Sequence, residues 1–418
     1  MFDLRVGYFV PGVLVPLEAY PTLIAALLLL LLSNFSLTIP NTSSLFLRLA
    51  VTPVACILFW RFGFGPYETP ERQVSVGMAV IGLYGLMRIF ETNIVSLLDH
   101  RPPLWVKNGK ELALPEKFTE RLVYALDLTT SLRGNSWLKD RSWVWAPRAL
   151  QDHRYLHVSR GSYLRKMTIE VVSSFLVVDV LDTINKSRIW DLTIVDPITS
   201  LSVPEQLIFS LSVCIDTALA INITYGLTSM TAVALGSSPA SWPPMFNSPL
   251  SASSLADFWT RRWHAVFRRV FDRISSFTLR TIPPLANLPN FLRNLVRGVI
   301  IFALSTTLHV MVMYRLDFDN REENIAGLKK TLDPSILKFF LSQPLGLAIE
   351  SFFIIPLSKL LFTEKYQSTG TRIWAWCFML WGGRYWSDVW VHRGLWHENE
   401  YVVGYSLVRG LIWGKWTL

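Results

Sequence analysis

The stretch PTLIAALLLLLLSNFSLTI, Pro21 to Ile39, contains no charged side chain. A helix of these residues rises about 28 Å, close to the roughly 30 Å hydrocarbon core of a bilayer. Its apolar part is longer than that of a cleaved signal peptide, and no small-residue cleavage site is evident. The stretch therefore predicts an uncleaved transmembrane helix in an integral membrane protein.

The composition of the whole chain indicates the same fold class. Of its 418 residues, 51% are hydrophobic and only 17% are charged, and the mean hydropathy is +0.33. Apolar windows long enough to span a bilayer recur along the chain. These predicted spans lie near 21–39, 45–62, 74–98, 167–184, 205–235, 296–314, 341–362, 371–391 and 400–416. We therefore expect an all-α, polytopic integral membrane protein with eight or nine transmembrane helices.

Two long polar segments interrupt the spans and predict how the chain is oriented. Residues 101–166 contain thirteen Lys or Arg against six Asp or Glu, and residues 258–297 contain eight Arg against one acid. Basic residues concentrate in cytosolic loops. Two predicted spans separate these segments, so both can lie on the cytosolic side, whereas 317–338, with five acids against four bases, lies on the other.

The net charge of +9 thus reflects basic loops that are expected on the cytosolic side of the membrane. No nucleic-acid recognition motif accompanies it, so we expect the partners to be membrane lipid and small molecules rather than nucleic acid. We divide the chain into N-terminal transmembrane helices at 1–98, a basic cytosolic loop at 99–166 and a membrane-embedded core at 167–418. The core holds the segment 254–269 and His309.

Metal and disulfide chemistry has little support in the sequence. The three cysteines fall in apolar segments without paired spacing. His153 and His157 have the i, i+4 spacing of metal ligands, but Arg154 stands where a metalloprotease carries its glutamate. We expect no bound metal.

The segment DFWTRRWHAVFRR, Asp257 to Arg269, combines four arginines, several aromatic residues and one histidine. At 100° per residue, Trp259, Trp263 and Phe267 fall on one arc, which predicts an amphipathic helix in the membrane interface. His264 lies at the boundary of the two faces. A plain membrane anchor whose arginines meet anionic lipid is the alternative reading of this pattern.

His309, in VRGVIIFALSTTLHVMVMY, is the only histidine inside a strongly apolar span. Ionisable groups at membrane depth are functional candidates, and a neutral imidazole is cheaper to bury than a carboxylate. The alternative is a structural histidine whose ring donates to a carbonyl group on a neighbouring helix.

The order of these motifs resembles the wax-synthase-like branch of the membrane-bound O-acyltransferases, and most closely its fungal natural-product O-acetyltransferases. SWPPMFNSPLSASSLADFWTRRWHAVFRR at 241–269, followed by STTLHVMVMY at 305–314, matches the W-x-P-x-F loop, the Phe-Trp-x-Arg-Arg-Trp-His/Asn motif and the intramembrane histidine of that branch. Upstream, ALDLTTSLRGNSW at 125–137 is similar to its Leu-x-x-Ser-x-Arg-Gly-x-x-Trp stretch.

Two positions depart from the family pattern. Thr260 stands where a glycine is usual, which predicts a narrower space beside the motif. The sequence RGNSW, beginning at Arg133, replaces a more apolar RGIGW.

The resemblance implies transfer of an acyl group, acetyl in particular, from acyl-CoA to the hydroxyl group of a lipophilic acceptor such as a terpenoid or meroterpenoid in secondary metabolism. It implies His309 as the general base and His264 as the second catalytic position. Acetyl-CoA would act as a co-substrate, and no permanently bound cofactor is expected. The residues expected to contact the donor are Arg261, Arg262, Arg268, Arg133 and Trp263.

Other functions remain open at this stage. Within the same class, the chain could be a long-chain wax ester synthase. In another class, it could be a membrane transporter or a non-catalytic scaffold, in which Asp179, Asp216 and Glu350 should matter more than His309. The expected location is the membrane of the endoplasmic reticulum.

Overall fold

A computed structural model describes most of the chain. The described residues are 15–69, 72–138, 141–145, 158–186, 197–264, 266–318, 332–363, 366–393 and 405–416. His153, His157 and most of the acidic loop at 317–338 lie outside them.

Helices make up most of the described structure. The longer helices are α1 Tyr20–Ser36, α2 Thr42–Phe64, α3 Arg72–Asn93, α4 Phe118–Thr130, α5 Arg160–Lys186 and α6 Val203–Ala234. They continue with the short α7 Leu255–Asp257, α8 Arg268–Thr281, the short α9 Pro283–Ala286, α10 Asn290–Phe318, α11 Pro334–Ile349, α12 Ile355–Leu361, α13 Gln367–Val391 and α14 Leu407–Trp413.

Six helical segments of the described chain are long and apolar enough to cross a membrane. They are Leu17–Ser36, Thr42–Phe64, Arg72–Leu98, Val203–Ala234, Asn290–Asp317 and Pro334–Leu361. They confirm six of the predicted spans and the class of polytopic membrane protein.

The full count of eight or nine spans is not confirmed. The predicted spans at 167–184 and 371–391 correspond to the long helices α5 and α13, which carry several charged residues and are not among the six. In the region predicted as the last span, α14 has seven residues and rises about 10 Å, too little to cross a bilayer.

Local sequence signals explain several helix starts and close contacts. Asn41 caps α2 by accepting a hydrogen bond from the Ser44 amide at 2.7 Å, and Ser202 with Glu205 forms a capping box on α6. The glycine at position 82 allows helices α2 and α3 to approach closely. A Cβ atom there would lie only 2.7 Å from the Phe59 carbonyl oxygen.

The basic segment after α3 builds a small unit around α4. Strands β1 Trp105–Lys107, β2 Lys110–Glu111 and β3 Ser142–Trp143 form an antiparallel sheet in the order β2-β1-β3. Asn108 and Gly109 both have positive φ values, as a two-residue hairpin turn between β1 and β2 requires.

The buried carboxylate of Asp127 ties this unit together. It accepts hydrogen bonds from the Trp105 indole at 2.7 Å and from the Trp137 amide at 3.0 Å. Burial raises the pKa of Asp127 and its hydrogen bonds oppose that rise.

The two basic segments of the sequence pack against each other. The Ser241 hydroxyl donates to the Ser136 carbonyl at 2.6 Å, and the Arg269 guanidinium lies 3.4 Å from the centre of the Trp145 ring. Arg269 also pairs with buried Glu91 at 2.6 Å. Both segments therefore lie at the same end of the helices, as their charge predicted.

Candidate active site

The segment 254–269, hereafter the signature segment, does not form the continuous amphipathic helix predicted from its periodicity. Helix α7, capped by Ser254, runs into a π-helical turn at Phe258–Arg262. Trp263 then adopts an extended conformation, with φ −73° and ψ 156°, and α8 begins only at Arg268. The prediction of one helix is wrong because the turn closes on itself, with the Trp263 amide donating to the Phe258 carbonyl at 2.9 Å.

Trp259 inserts between two of the membrane helices. Its indole N–H donates to the Gln343 Oε1 atom of α11 at 3.0 Å. Its ring meets Phe302 of α10 edge-on, with the centroids 5.5 Å apart, and also contacts Phe339. This side chain therefore fixes the π-turn against α10 and α11.

Trp263 packs onto aromatic neighbours from its own segment and from the W-x-P-x-F loop. Its ring stacks on Phe258 with centroids 5.3 Å apart and meets Phe246 edge-on at 5.1 Å. The Trp263 ring thus packs beside His264, with 5.6 Å between the two ring centroids. A contact with the acyl donor stays a prediction.

His264 is half-buried and has aromatic side chains as neighbours. Its ring centroid is 6.0 Å from that of Phe246 and 6.2 Å from that of Phe267. The Nδ1 atom is buried and has no hydrogen-bond partner among the described residues. Burial, with smaller contributions from the nearby His309 ring and Arg133 guanidinium, lowers the pKa of His264 to about 4.

His309 lies on α10 with a defined tautomer. Its Nδ1 atom is 2.8 Å from the carbonyl oxygen of Ser305, one turn earlier on the same helix. A carbonyl oxygen only accepts hydrogen bonds, so Nδ1 must carry the proton and the neutral ring keeps its lone pair on Nε2. The ring lies against Phe340 of α11, with 4.4 Å between centroids.

The two predicted catalytic histidines border the same hydrophobic core, although 45 residues separate them in the sequence. Phe267, whose ring faces that of His264, and Phe340, whose ring faces that of His309, both pack into this core. One ring has a free lone pair on Nε2, and the other has a buried nitrogen without a partner. The pair can accept a proton and bind a polar reactant atom.

Arg133 links the upstream motif to this site. Its guanidinium donates to the carbonyl oxygens of Pro243 at 3.0 Å and Pro244 at 2.8 Å. Gly134 has a φ value of 87°, a conformation that side chains disfavour, which explains the Arg-Gly pair. Arg133 thus holds the W-x-P-x-F loop, and its predicted contact with the donor remains to be tested.

The three arginines predicted to meet the donor lie in different surroundings. Arg262 pairs with Asp257 at 2.6 Å, and Arg268 donates to the Thr260 carbonyl. Arg261 is exposed. Of these side chains, Arg261 is the best placed to meet an anionic ligand, whereas the other two also stabilise the fold of the segment.

Thr260 does not narrow a space beside the motif, contrary to the expectation from sequence. Its side chain is exposed, and its hydroxyl donates to the Ala256 carbonyl at 2.6 Å. The extra atoms relative to glycine therefore point away from the packed interior.

Sequence reasoning predicted a span at 341–362 but missed that this helix supports the motif. Gln343, Phe340 and Glu350 of the segment 334–354 contact Trp259, His309 and the start of α7, respectively. A glutamine and a glutamate seven residues apart in an apolar span were the available signal.

Two of the carboxylates that a transporter would use have structural partners. Asp179 accepts hydrogen bonds from the Ser406 hydroxyl and the Val408 amide, and so anchors α14 to α5. Glu350 accepts hydrogen bonds from the amides of Leu255 and Ala256. Asp216 is buried in α6.

Comparison with known proteins agrees with these motifs. Residues 242–328, which contain both histidines, match the membrane bound O-acyl transferase family. No solved structure matches the chain.

The similar curated proteins are fungal. Acetyltransferase ataH of Aspergillus terreus is 32% identical over 164 residues, which cover 38% of this chain and 50% of the relative. Acetyltransferase spyB of Aspergillus fumigatus is 30% identical over 132 residues, 31% of this chain and 20% of the relative. Acetyltransferase eriL of Hericium erinaceus is 23% identical over 301 residues, 72% of this chain and 74% of the relative.

The chain spans half of the first of these relatives and a fifth of the second. All three relatives are named acetyltransferases. This membrane protein is thus similar to fungal acetyltransferases and, over residues 242–328, to the acyl-transferring enzymes of the membrane bound O-acyl transferase family.

Proposed function

We propose that this protein transfers an acetyl group from acetyl-CoA to a hydroxyl group of a lipophilic acceptor, of the terpenoid or meroterpenoid kind, within a membrane. The observation that carries the proposal is that His264 and His309 border the same aromatic-rich core, with Nε2 of His309 left as a base by the hydrogen bond from Nδ1 to Ser305. The family match supports the same chemistry.

The chemistry follows from the two rings. Nε2 of His309 accepts the proton of the acceptor hydroxyl group while the hydroxyl oxygen attacks the thioester carbonyl carbon. The new C–O bond forms, the C–S bond breaks, and the thiol of coenzyme A leaves with the proton returned by His309. The buried Nδ1 of His264 can hold a polar atom of the donor or acceptor.

The surroundings suit two substrates of different polarity. The aromatic and apolar walls of Phe246, Trp263, Phe267 and Phe340 exclude water, which would otherwise hydrolyse the thioester. Exposed Arg261 offers a cation to the phosphates of coenzyme A. A long-chain wax ester synthase would use the same residues and differ only in the donor that it accepts.

The test is an ester-formation assay with membranes that contain the protein. Acetyl-CoA and a long-chain acyl-CoA are each supplied with a panel of lipophilic alcohols, and esters are measured by mass spectrometry. Acetyl esters that require His309 would support the proposal, and long-chain esters alone would favour the wax synthase. No ester from any pair would contradict acyl transfer to alcohols.

A further inference from the structure

One face of α11 and its continuation contacts the signature segment at three levels. Gln343, Gly346 and Glu350 have the spacing i, i+3 and i+7 and share one side of the helix. Gln343 accepts the hydrogen bond of the Trp259 indole. Gly346 leaves room for Leu255, because a Cβ atom at Gly346 would lie 2.9 Å from Leu255 Cδ2.

Glu350 makes the third contact. Its two carboxylate oxygens accept hydrogen bonds from the backbone amides of Leu255 at 2.6 Å and Ala256 at 3.0 Å, and only 1% of the residue is exposed. These amides begin α7 and have no acceptor within that helix. A carboxylate can serve both amides because each of its oxygens accepts, whereas an amide side chain has one accepting oxygen.

The backbone around Glu350 is also unusual. Regular α-helix ends at Ile349, and Glu350–Ile354 forms a π-helical turn before α12 continues. Such turns occur often at functional sites, where they redirect side chains within a helix. A second π-helical turn, Phe258–Arg262, follows α7 in the segment that Glu350 contacts.

We infer that Glu350 is a positioning residue for the acyl transfer proposed above. By fixing the amides of Leu255 and Ala256, it sets the depth and direction of the short segment that ends at His264. The links between Trp259 and Gln343 and between Arg262 and Asp257 make this segment stiff. A displacement at its start therefore reaches the imidazole.

The first test compares Glu350→Gln with Asp179→Asn. Asp179 is a matched control, since it is another buried carboxylate in a long helix that accepts from the backbone amide of a short helix, here α14. A misplacement of about 1 Å at a reacting group can cost on the order of 10²-fold in rate. We expect kcat of Glu350→Gln to fall by about that factor with little change in KM for acetyl-CoA, and Asp179→Asn to keep its kcat.

Two further variants separate positioning from general stability. Glu350→Asp keeps both accepting oxygens and should recover part of the lost kcat. Gly346→Ala keeps every polar group but places a methyl group against Leu255 and Phe378, and it should lower kcat as well. Equal losses in the glutamine, aspartate and control variants, or wild-type kcat in both Glu350→Gln and Gly346→Ala, would overturn the inference.

A measurement without turnover distinguishes this inference from the proposed function. Hydrogen exchange of the wild-type protein in nanodiscs should show slow exchange for the peptide at 255–264, and Glu350→Gln should accelerate it while Asp179→Asn does not. If the wild type formed no ester, the proposed function would fail, and this exchange pattern would still decide whether Glu350 holds the segment. Unchanged exchange in Glu350→Gln would reject the role.

Discussion

His309 is the residue on which the proposed chemistry depends most directly. Because its Nδ1 proton is committed to Ser305, Nε2 is the ring's only basic atom. We expect His309→Ala to lose about 10²–10⁴-fold in the rate of ester formation, the usual contribution of a general base. Purified His309→Ala should elute from gel filtration like the wild type, and turnover near the wild-type rate would exclude His309 as the base.

His264 allows a distinction between hydrogen bonding and proton transfer. Asparagine can donate and accept hydrogen bonds but does not act as a base near neutral pH. If His264 orients a reactant, His264→Asn should retain much more activity than His264→Ala. The kcat values of the two variants give the answer, and equal, severe losses in both would show that His264 transfers a proton itself.

The lowered pKa of His264 also predicts how the stability of the fold depends on pH. An unfolded chain takes up a proton on this residue near its ordinary pKa of 6.5, whereas the folded protein does so only near 4. The unfolded state therefore binds more protons between these values, and the free energy of unfolding should fall as pH falls from 6.5 to 4. Thermal unfolding of detergent-solubilised wild type and His264→Asn over this range tests it. The variant should show a shallower dependence on pH, and identical slopes would contradict the lowered pKa.

Among the elements, α4 is amphipathic and exposes an apolar stripe. Phe118, Leu122 and Leu126 recur every four residues and are 69%, 37% and 39% exposed. The helix crosses the end of α1, where Phe118 contacts Phe35 and the Asn34 side chain donates to Thr129. We therefore expect this apolar stripe to rest on the lipid surface beside α1.

Fluorescent labels can test the placement of α4. In a protein without its native cysteines, an environment-sensitive dye on Leu122→Cys should emit at shorter wavelength and be quenched by brominated lipid. The same dye on Glu120→Cys, two residues away and also exposed, is the control and should be quenched less. Equal quenching at both positions would show that α4 does not lie on the bilayer with this face.

The same elements show what a sequence can and cannot predict here. Hydropathy is a local property, so the apolar runs at 21–39, 205–235 and 296–314 predicted spanning helices correctly. The turn that ends at Trp263 is held in place by partners distant in sequence, since Gln343 binds Trp259 and Glu350 binds the Leu255 amide, and helical periodicity could not reveal these contacts. The residue pattern singled out both histidines and the family resemblance supplied their expected roles, whereas neither pointed to the residues that hold them.

At the scale of the whole molecule, ion pairs and hydrogen bonds gather the loops at two ends of the helices. One end joins the basic segments through Ser136 and Ser241, while the other joins Asp388 to the Ile198 amide and Arg393 to Asp317. This arrangement agrees with the charge bias that predicts the first end to be cytosolic. It also fits a cytosolic acyl-CoA donor, because Arg133 and Arg261 lie in the segments of that end.

Labelling in sealed microsomes tests this orientation and with it the route of the donor. After replacement of Cys56, Cys214 and Cys377, single cysteines are placed at exposed positions of each end: Glu116 and Thr281 in the basic segments, and Ser200 before α6. The first two should react with an impermeant maleimide from outside, and Ser200→Cys should react only after permeabilisation. His309 lies twelve residues beyond Arg297, or about 18 Å along α10, so the thioester must reach from the cytosol towards mid-membrane depth. Protection of either basic segment from the outside reagent would place the arginines away from cytosolic acyl-CoA and would contradict this route.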